Sequence, residues 1–163
     1  MTGASSWSFG EADSHRIQGI LRGFLGETNA RTALIVDRTG QLVATVGEAP
    51  AFDPTVFASL TAADFSANDQ LARMLGEAEF GTLFHQGERE SMYLADVARR
   101  VILVVLFDNR TTLGLVKLRV KPVVGQLTQV FTEMFERDGA GTPGVESAFL
   151  GEAEDEIDKL FGP

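Results

Sequence analysis

The sequence contains no cysteine, which excludes a disulfide framework, a thiolate nucleophile and a zinc site built on cysteine. Long hydrophobic runs are also missing, because the longest, Val101 to Phe107, is far too short to cross a bilayer. The start of the chain has no basic region followed by an apolar segment. We therefore predict no signal peptide and a cytoplasmic protein.

Catalytic motifs are equally scarce. The only histidines, His15 and His85, have no partner at metal-ligand spacing, and we interpret both as surface residues. Neither GxxxxGK nor GxSxG occurs, which argues against a P-loop nucleotide hydrolase and against the commonest hydrolase nucleophile. We therefore predict no catalytic residue, no metal site and no cofactor, so that the protein is not itself an enzyme.

Basic residues are outnumbered, with 14 lysines and arginines against 23 acids and a net charge of −9. This balance argues against nucleic acid or an anionic membrane as a partner, because phosphate contacts need clustered cations. More than half of the excess lies between residues 146 and 163, which hold six acids and one lysine. Within 163 residues we predict a flexible arm at 1–12, one domain at 13–137, a linker at 138–150 and an acidic tail at 151–163.

Apolar spacing predicts a first helix from Asp13 or Ser14, either of which could cap it, to about Glu27. The segments RTALIVD and QLVATVG then alternate as two strands of a hairpin. Between them, the turn that begins at Asp37 ends at Gly40, which can adopt positive φ.

A second helix is predicted from Asp53, with the acid as cap and Pro54 in the first turn. This helix has one apolar stripe and several apolar residues outside the stripe. Together they give it more apolar surface than a single core contact needs. Such a helix is either deeply buried or shared with a partner. The stripe is Val56, Leu60, Ala63, Ala67, Leu71 and Leu75, and the residues off it are Phe57, Phe65 and Met74.

Three strands follow at about 80–85, 91–97 and 101–107, and the last is apolar throughout, as a central strand would be. A long helix runs from about Thr112 to Arg137, and Pro122 predicts a kink or break near Arg119. The order α-β-β-α-β-β-β-α predicts an α+β sandwich with a five-stranded, largely antiparallel sheet and helices on its faces.

Asp108, Asn109 and Arg110 stand where the last strand gives way to the long helix. Asp, Asn and Thr commonly satisfy the free amides at a helix start, so we interpret this junction as structural. The alternative is that Arg110 enters another protein's phosphoryl-transfer site as an arginine finger.

The tail has an apolar trio, Ile157, Leu160 and Phe161, spaced to share one face of a short helix among acids. So short a helix is unstable alone in water, which favours docking on a partner. The competing interpretation is a solubilising acidic end.

The element order and four segments together resemble the bacterial Roadblock proteins, and more narrowly their MglB-type members. The segments are LIVDRTGQLVATVG, ASLTAADFSANDQLARMLGE, VILVVLFDNRTTLGLVKLR and EDEIDKLF. The resemblance covers roughly residues 13–137 and the tail, and departs from the family in the long N-terminal arm and in Pro122.

The resemblance implies a homodimer in which third strands and second helices pair, with contacts expected from Phe57, Phe65, Met74 and Phe84. It also implies binding to an MglA-type small Ras-like GTPase in its GTP form and acceleration of its hydrolysis without a donated arginine. In cells, the family's activity serves polarity and motility and is concentrated at one cell pole. We assign GTPase binding to Ala62, Ser66, Asp69, Gln70 and Arg73, and docking on the GTPase to the tail trio.

Two other classes of function stay open. A Roadblock scaffold would bind a GTPase without activating it, and activation leaves no catalytic motif that could separate the two. A ligand-sensing domain of the profilin-like or PAS-like kind would need a pocket with polar groups, whereas the inward positions of this sequence are aliphatic.

Overall fold

The computed structural model describes residues 10–141, with side chains through residue 137. The chain divides into two units, Met1–Val130 and Phe131–Pro163. The first unit holds the sheet and most of the helical residues, and the described part of the second is the last portion of the final helix.

Helix α1 spans Glu11–Thr28 and buries Ile17, Leu21 and Phe24. It begins after Gly10 without a side-chain cap, so the predicted cap at Asp13 or Ser14 is wrong. The helix starts early enough to place Asp13 inside the first turn, where it is buried. Asn29 ends the helix with a left-handed φ of 62°, and its N–H donates to the Leu25 carbonyl at 2.8 Å.

The hairpin is confirmed, with β1 at Thr32–Asp37 and β2 at Leu42–Gly47 paired antiparallel. Asp37 Oδ1 accepts from the backbone N–H groups of Thr39 at 3.0 Å and Gln41 at 2.9 Å. Gly40 completes the turn with a φ of +97°, a conformation that favours glycine. The Asp37 side chain therefore organises the turn.

Helix α2 spans Pro54–Met74, and the Asp53 cap is confirmed by an N–H from Thr55 at 2.9 Å. The side packed on the sheet is built from Ala58, Ala62 and Phe65. The bulky members of the predicted stripe are instead exposed: Val56 by 54%, Leu60 by 65%, Leu71 by 56% and Leu75 by 74%. The inward side of α2 thus combines the small side chains of Ala58 and Ala62 with one large ring, Phe65, whereas the bulky aliphatic residues of the stripe point outward.

Strands β3 at Thr82–Gln86, β4 at Ser91–Val97 and β5 at Val101–Phe107 complete an antiparallel sheet in the order β2-β1-β5-β4-β3. The apolar strand β5 lies at the centre, as predicted. The predicted fold class and the element order α-β-β-α-β-β-β-α are confirmed.

Both faces of the sheet carry buried side chains, because successive residues of a strand point to opposite faces. Leu34 opposite Val104 and Val36 opposite Ile102 face α2, where they pack around Phe65. Alternate residues point to the opposite face, where α1 contacts β1 and β2. The apolar side of the third helix, from Val116 to Leu127, is also buried. Among the described side chains, residues 10–137, the outward face of α2 and the outer sides of the other two helices are exposed.

Helix α3 spans Leu113–Gly141 and reaches past Arg137 into the segment predicted as a linker. Thr112 caps it, with Oγ1 accepting from the Leu115 N–H at 3.2 Å. The helix continues through Pro122, so the predicted break does not occur. Across residues 10–141, no helix has both the length and the apolarity to cross a membrane.

Candidate functional site

Part of the predicted GTPase-binding set surrounds one open cavity at the C-terminal half of α2. Ala62, Ser66, Asp69 and Arg73 line it together with Arg38 from the β1–β2 turn. Its volume is about 530 Å³. Residues 38 and 73 come together here because the Arg38 side chain reaches Asp69, one turn before Arg73 on α2. The order of elements alone does not reveal this contact.

Arg38 is one of four lining residues that were not predicted from the sequence, and the others are Ala78, Glu79 and Arg99. The Arg38 guanidinium pairs with Asp69 at 2.7 Å and with Asp96, and lies 4.8 Å from the centre of the Phe65 ring. Burial by itself lowers the pKa of Arg38, but the hydrogen bonds with Asp69 and Asp96 outweigh it and raise the pKa. Because its partners are 31 and 58 residues away, no local spacing signals this cluster.

The five predicted GTPase-binding residues differ in how much of their surface can be reached. Ser66, Gln70 and Arg73 are exposed. Ala62 is only 7% exposed, and the Asp69 carboxylate is held by Arg38. A partner approaching this surface would therefore meet Ser66, Gln70 and Arg73 first.

The outward face of α2 is an apolar patch, and it continues at both ends of the helix. Met74 is 83% exposed, more than any other large hydrophobic residue with a recorded exposure, while Ala63 and Ala67 leave the middle of the face flat. Contiguous exposed apolar surface of this kind marks contact sites for other molecules. The edge strand β3 lies on the same sheet, and within residues 10–141 its outer side has no neighbouring strand.

The predicted dimer contacts occupy different environments. Met74 is open to solvent, and Phe57 and Phe84 are half-buried, Phe84 stacking on Phe107 with ring centres 6.2 Å apart. Phe65 is 0% exposed in the core of the single chain. The prediction is corrected for Phe65, because a side chain enclosed by its own sheet has no surface to offer a second copy.

The two histidines occupy different environments. His85 Nε2 lies 2.5 Å from Asp64 Oδ2, which links the edge strand β3 to α2. His15 is exposed on α1. The described side chains, residues 10–137, contain no group of three or more His, Asp or Glu that could hold a metal ion.

A second cavity, of about 450 Å³, lies between the loop that precedes α2 and the sheet. Phe52 and Phe57, with ring centres 4.6 Å apart, form part of its lining with Met92 and Leu106. Inward positions were predicted to be uniformly aliphatic. The lining departs from that prediction, because it includes two aromatic rings and the polar residues Arg31, Thr32, His85, Gln86, Glu90 and Ser91.

At the β5–α3 junction, residues 108–112, Arg110 is engaged by two acids. Its guanidinium donates to Asp108 Oδ1 at 3.0 Å and to Glu48 at 2.8 Å. Asp108 Oδ1 also accepts from the Arg110 backbone N–H at 3.0 Å. Asn29, from the end of α1, donates to the Arg110 carbonyl at 3.3 Å. The junction thus joins three parts of the chain.

These contacts shift the titration of the junction. The hydrogen bond from Arg110 lowers the pKa of Glu48, to which Arg31 also contributes, and lowers the pKa of Asp108. The hydrogen bonds with Asp108 and Glu48 raise the pKa of Arg110. The geometry agrees with the structural interpretation of the junction, in which Asp108 forms a turn and Thr112 caps α3.

The tail trio, Ile157, Leu160 and Phe161, lies outside the described residues. Its docking role therefore stays a prediction.

Comparison with protein families and solved structures adds an independent finding. Residues 17–107 match the Roadblock/LC7 domain. MglB of Myxococcus xanthus is 42% identical to the chain, with 72% of this chain and 96% of that one covered and a TM-score of 0.69. The gliding protein MglB from Thermus thermophilus is 35% identical, with 78% and 97% covered and a TM-score of 0.73.

An MglB structure with a tetrameric arrangement has the same identity of 35% and a TM-score of 0.73, with 78% of this chain and 96% of that chain covered. A search of curated proteins finds no significant match.

Proposed function

The chain belongs to the Roadblock/LC7 family, and from this premise we propose that it activates an MglA-type small Ras-like GTPase. The observation that carries the proposal is the 42% identity to Myxococcus xanthus MglB over 96% of that chain. We propose that it binds the GTP-loaded form, in the cytoplasm and concentrated at one cell pole, and that it thereby serves polarity and motility. The gliding protein from Thermus thermophilus is a relative that supports the link to motility.

We propose that the active form is a homodimer that pairs α2 with α2 and β3 with β3. Val56 and Leu60 protrude at one end of the helix and Leu71 and Met74 at the other, with small residues between them. A twofold axis near the middle of an antiparallel helix pair would bring each bulky end against the opposite end of the partner helix. Such self-complementarity is what an isologous interface requires. Leu60→Glu combined with Leu71→Glu should give a monomer in light scattering.

The GTPase-binding surface that we propose is the exposed row Ser66, Gln70 and Arg73 on α2, beside the cavity that Arg38 closes on one side. Ala62 and Asp69 belong to the same surface as its floor, because both are largely covered. Small residues at positions 62 and 66 leave a shallow platform that a switch loop can approach without steric hindrance.

We propose that activation occurs without an arginine finger. To enter another protein's active site, Arg110 would have to leave Asp108 and Glu48, which hold it at 3.0 and 2.8 Å. The dimer instead acts by binding the hydrolysis-competent conformer of the GTPase more tightly than the idle one, so that the GTPase's own groups come into place.

Single-turnover GTP hydrolysis by the cognate GTPase, with and without this protein, tests the proposal. Ser66→Arg with Gln70→Arg should abolish acceleration while light scattering still reports a dimer. Ser14→Arg with Gln18→Arg is the matched control, because it makes the same changes at the same spacing on α1. Normal acceleration by the α2 variant would place the binding surface elsewhere.

Two further arms of the same assay separate the alternatives. Arg110→Ala should retain full acceleration, and its loss in a folded variant would assign the arginine a role in hydrolysis. Binding of the GTP form by the unmodified protein without any acceleration would indicate the Roadblock scaffold.

For the tail, we propose that Ile157, Leu160 and Phe161 dock on the GTPase away from the nucleotide. Deletion of residues 151–163 should weaken binding of the GTP form. Unchanged affinity would leave the tail as a solubilising segment.

A further inference from the structure

The turn between β4 and β5 holds Arg99 in a strained backbone conformation. The turn is closed by the Arg100 N–H, which donates to the Val97 carbonyl at 3.1 Å. Its two central residues, Ala98 and Arg99, have φ values of 55° and 58°. Hairpin turns with two left-handed central positions strongly prefer asparagine and glycine there, because a Cβ crowds the backbone in this conformation. Alanine and arginine are therefore unfavourable choices for the turn itself.

Contacts within the chain do not explain why position 99 is an arginine. The Arg99 N–H donates to Asp96 Oδ2 at 3.1 Å, but glycine would make the same backbone contact. The Arg99 side chain is 77% exposed, and its Nε lies 3.8 Å from Glu79, which is beyond hydrogen-bond distance. An exposed ion pair of this length stabilises a fold little. Strain that the fold itself does not require is typical of residues that contact other molecules.

Arg99 lines the cavity beside the proposed GTPase-binding row, and a second arginine of that cavity is also free to interact. Arg73 makes no ion pair with any side chain that the structure describes, and it is exposed. The third arginine of the lining, Arg38, is held by Asp69 and Asp96. The guanidinium groups of Arg73 and Arg99 are thus the two that another molecule can reach.

The charges around the cavity favour a carboxylate as the bound group. A phosphate group carries about two negative charges and would meet the nearby Glu79 carboxylate as well as the arginines. A carboxylate carries one negative charge, and its two oxygens match the parallel N–H groups of a guanidinium. Two reachable guanidinium groups with one acid beside them therefore suit an aspartate or glutamate side chain.

We propose that Arg73 and Arg99 form a carboxylate-binding site that receives an acidic side chain from the switch region of the GTPase. Arg73 is the end of the exposed row on α2, and Arg99 extends this row to the β4–β5 turn. Because the turn fixes the Arg99 backbone before the partner arrives, less conformational freedom is lost on binding. The inference rests on the proposed function, and both arginines serve recognition of the GTPase rather than hydrolysis.

The first test measures binding of the full chain to the cognate GTPase loaded with a non-hydrolysable GTP analogue. Arg99→Glu should weaken binding about tenfold, and adding Arg73→Glu should weaken it further. Added salt should reduce these differences, because the site is open to water. Arg89→Glu is the matched control, since it reverses the same charge at an exposed arginine in the β3–β4 turn, and it should leave the affinity unchanged.

A second variant separates recognition from any structural role of the turn. Ala98→Asn with Arg99→Gly supplies residues that adopt the left-handed backbone readily, so the urea midpoint should rise. Binding of the GTPase should nevertheless weaken about tenfold, because the guanidinium is lost. A purely structural role for Arg99 would not produce greater stability together with weaker binding.

Single-turnover hydrolysis gives the third measurement. At saturating concentration, Arg99→Glu should reach the same hydrolysis rate as the unmodified protein, because only affinity has changed. A lower rate at saturation would overturn the inference by giving Arg99 a role at the nucleotide. Unaltered affinity of Arg99→Glu, or an equal loss in Arg89→Glu, would overturn it while acceleration by the unmodified protein still supports the proposed function. Failure of the unmodified protein to bind the GTPase would overturn both.

Discussion

Arg38 and Arg110 are each held between two carboxylates, and they differ chiefly in how much water reaches them. Arg38 lies between Asp69 and Asp96 with 28% of its side chain exposed. Arg110 lies between Asp108 and Glu48 with 46% of its side chain exposed. The same chemistry is expected to have different consequences, because water screens the exposed pairs and only partly screens the enclosed ones.

Their positions relative to the candidate surfaces differ as well. Arg38 joins the β1–β2 turn to α2 beside the proposed GTPase-binding row. Arg110 stabilises the β5–α3 junction, where Thr112 independently caps the helix. We therefore interpret Arg38 as part of the support of the proposed GTPase-binding surface and Arg110 as a local link between loops.

Arg38→Ala should have the largest effect on stability. It would leave Asp69 and Asp96 near each other without their shared cation, and breaking a partly enclosed ion pair in this way costs about 2–3 kcal/mol. Urea denaturation at a fixed protein concentration measures the free energy of unfolding. Arg110→Ala is the matched control, and equal losses in the two variants would contradict the contrast drawn between the clusters.

Arg38→Lys should have an intermediate effect of about 1 kcal/mol, because lysine keeps the charge but cannot reach two carboxylates with one planar group. The same exchange at Arg110 should be close to neutral, since solvent replaces the lost contact. A lysine variant at position 38 as stable as the unmodified protein would show that charge alone, without the guanidinium geometry, is sufficient there.

The contrast between the Arg38 and Arg110 clusters also indicates which features of the structure can be predicted from the sequence. The hairpin, the Asp53 cap and the central strand β5 were predictable, because local spacing and turn chemistry determine them. The Arg38 cluster was not, since its three charged members come from distant segments. On α2, residues on both sides of the helix are apolar, so periodicity predicts the stripe but not which side packs on the sheet. The side with the small residues Ala58 and Ala62 is the packed one, because small side chains allow close contact with the sheet.

Thr112→Ala isolates the capping part of the junction from its ion pairs. Loss of the bond from the Leu115 N–H to Thr112 Oγ1 should reduce stability by about 1 kcal/mol, a typical value for a helix cap. Arg110→Ala should lower the urea midpoint by less than Thr112→Ala does, because its ion pairs are exposed to solvent. The opposite order, with the arginine variant less stable than the threonine variant, would mean that the exposed ion pairs hold the start of α3.

The smallest expected effect is the pH dependence of the exposed cluster. The pKa values of Glu48 and Asp108 are lowered in the folded protein, from ordinary values of 4.5 and 3.8, so the unfolded state binds more protons as the pH falls through that range. The stabilisation is therefore present above the ordinary values and is lost as the pH falls through the lowered ones. Comparison of the urea midpoints of the unmodified protein and Arg110→Ala from about pH 6 to about pH 3 should show a small difference that decreases towards the acid end. Added salt should reduce the same difference at neutral pH, because exposed pairs are screened. A difference that grows on acidification would mean that Arg110 acts through groups other than these two carboxylates.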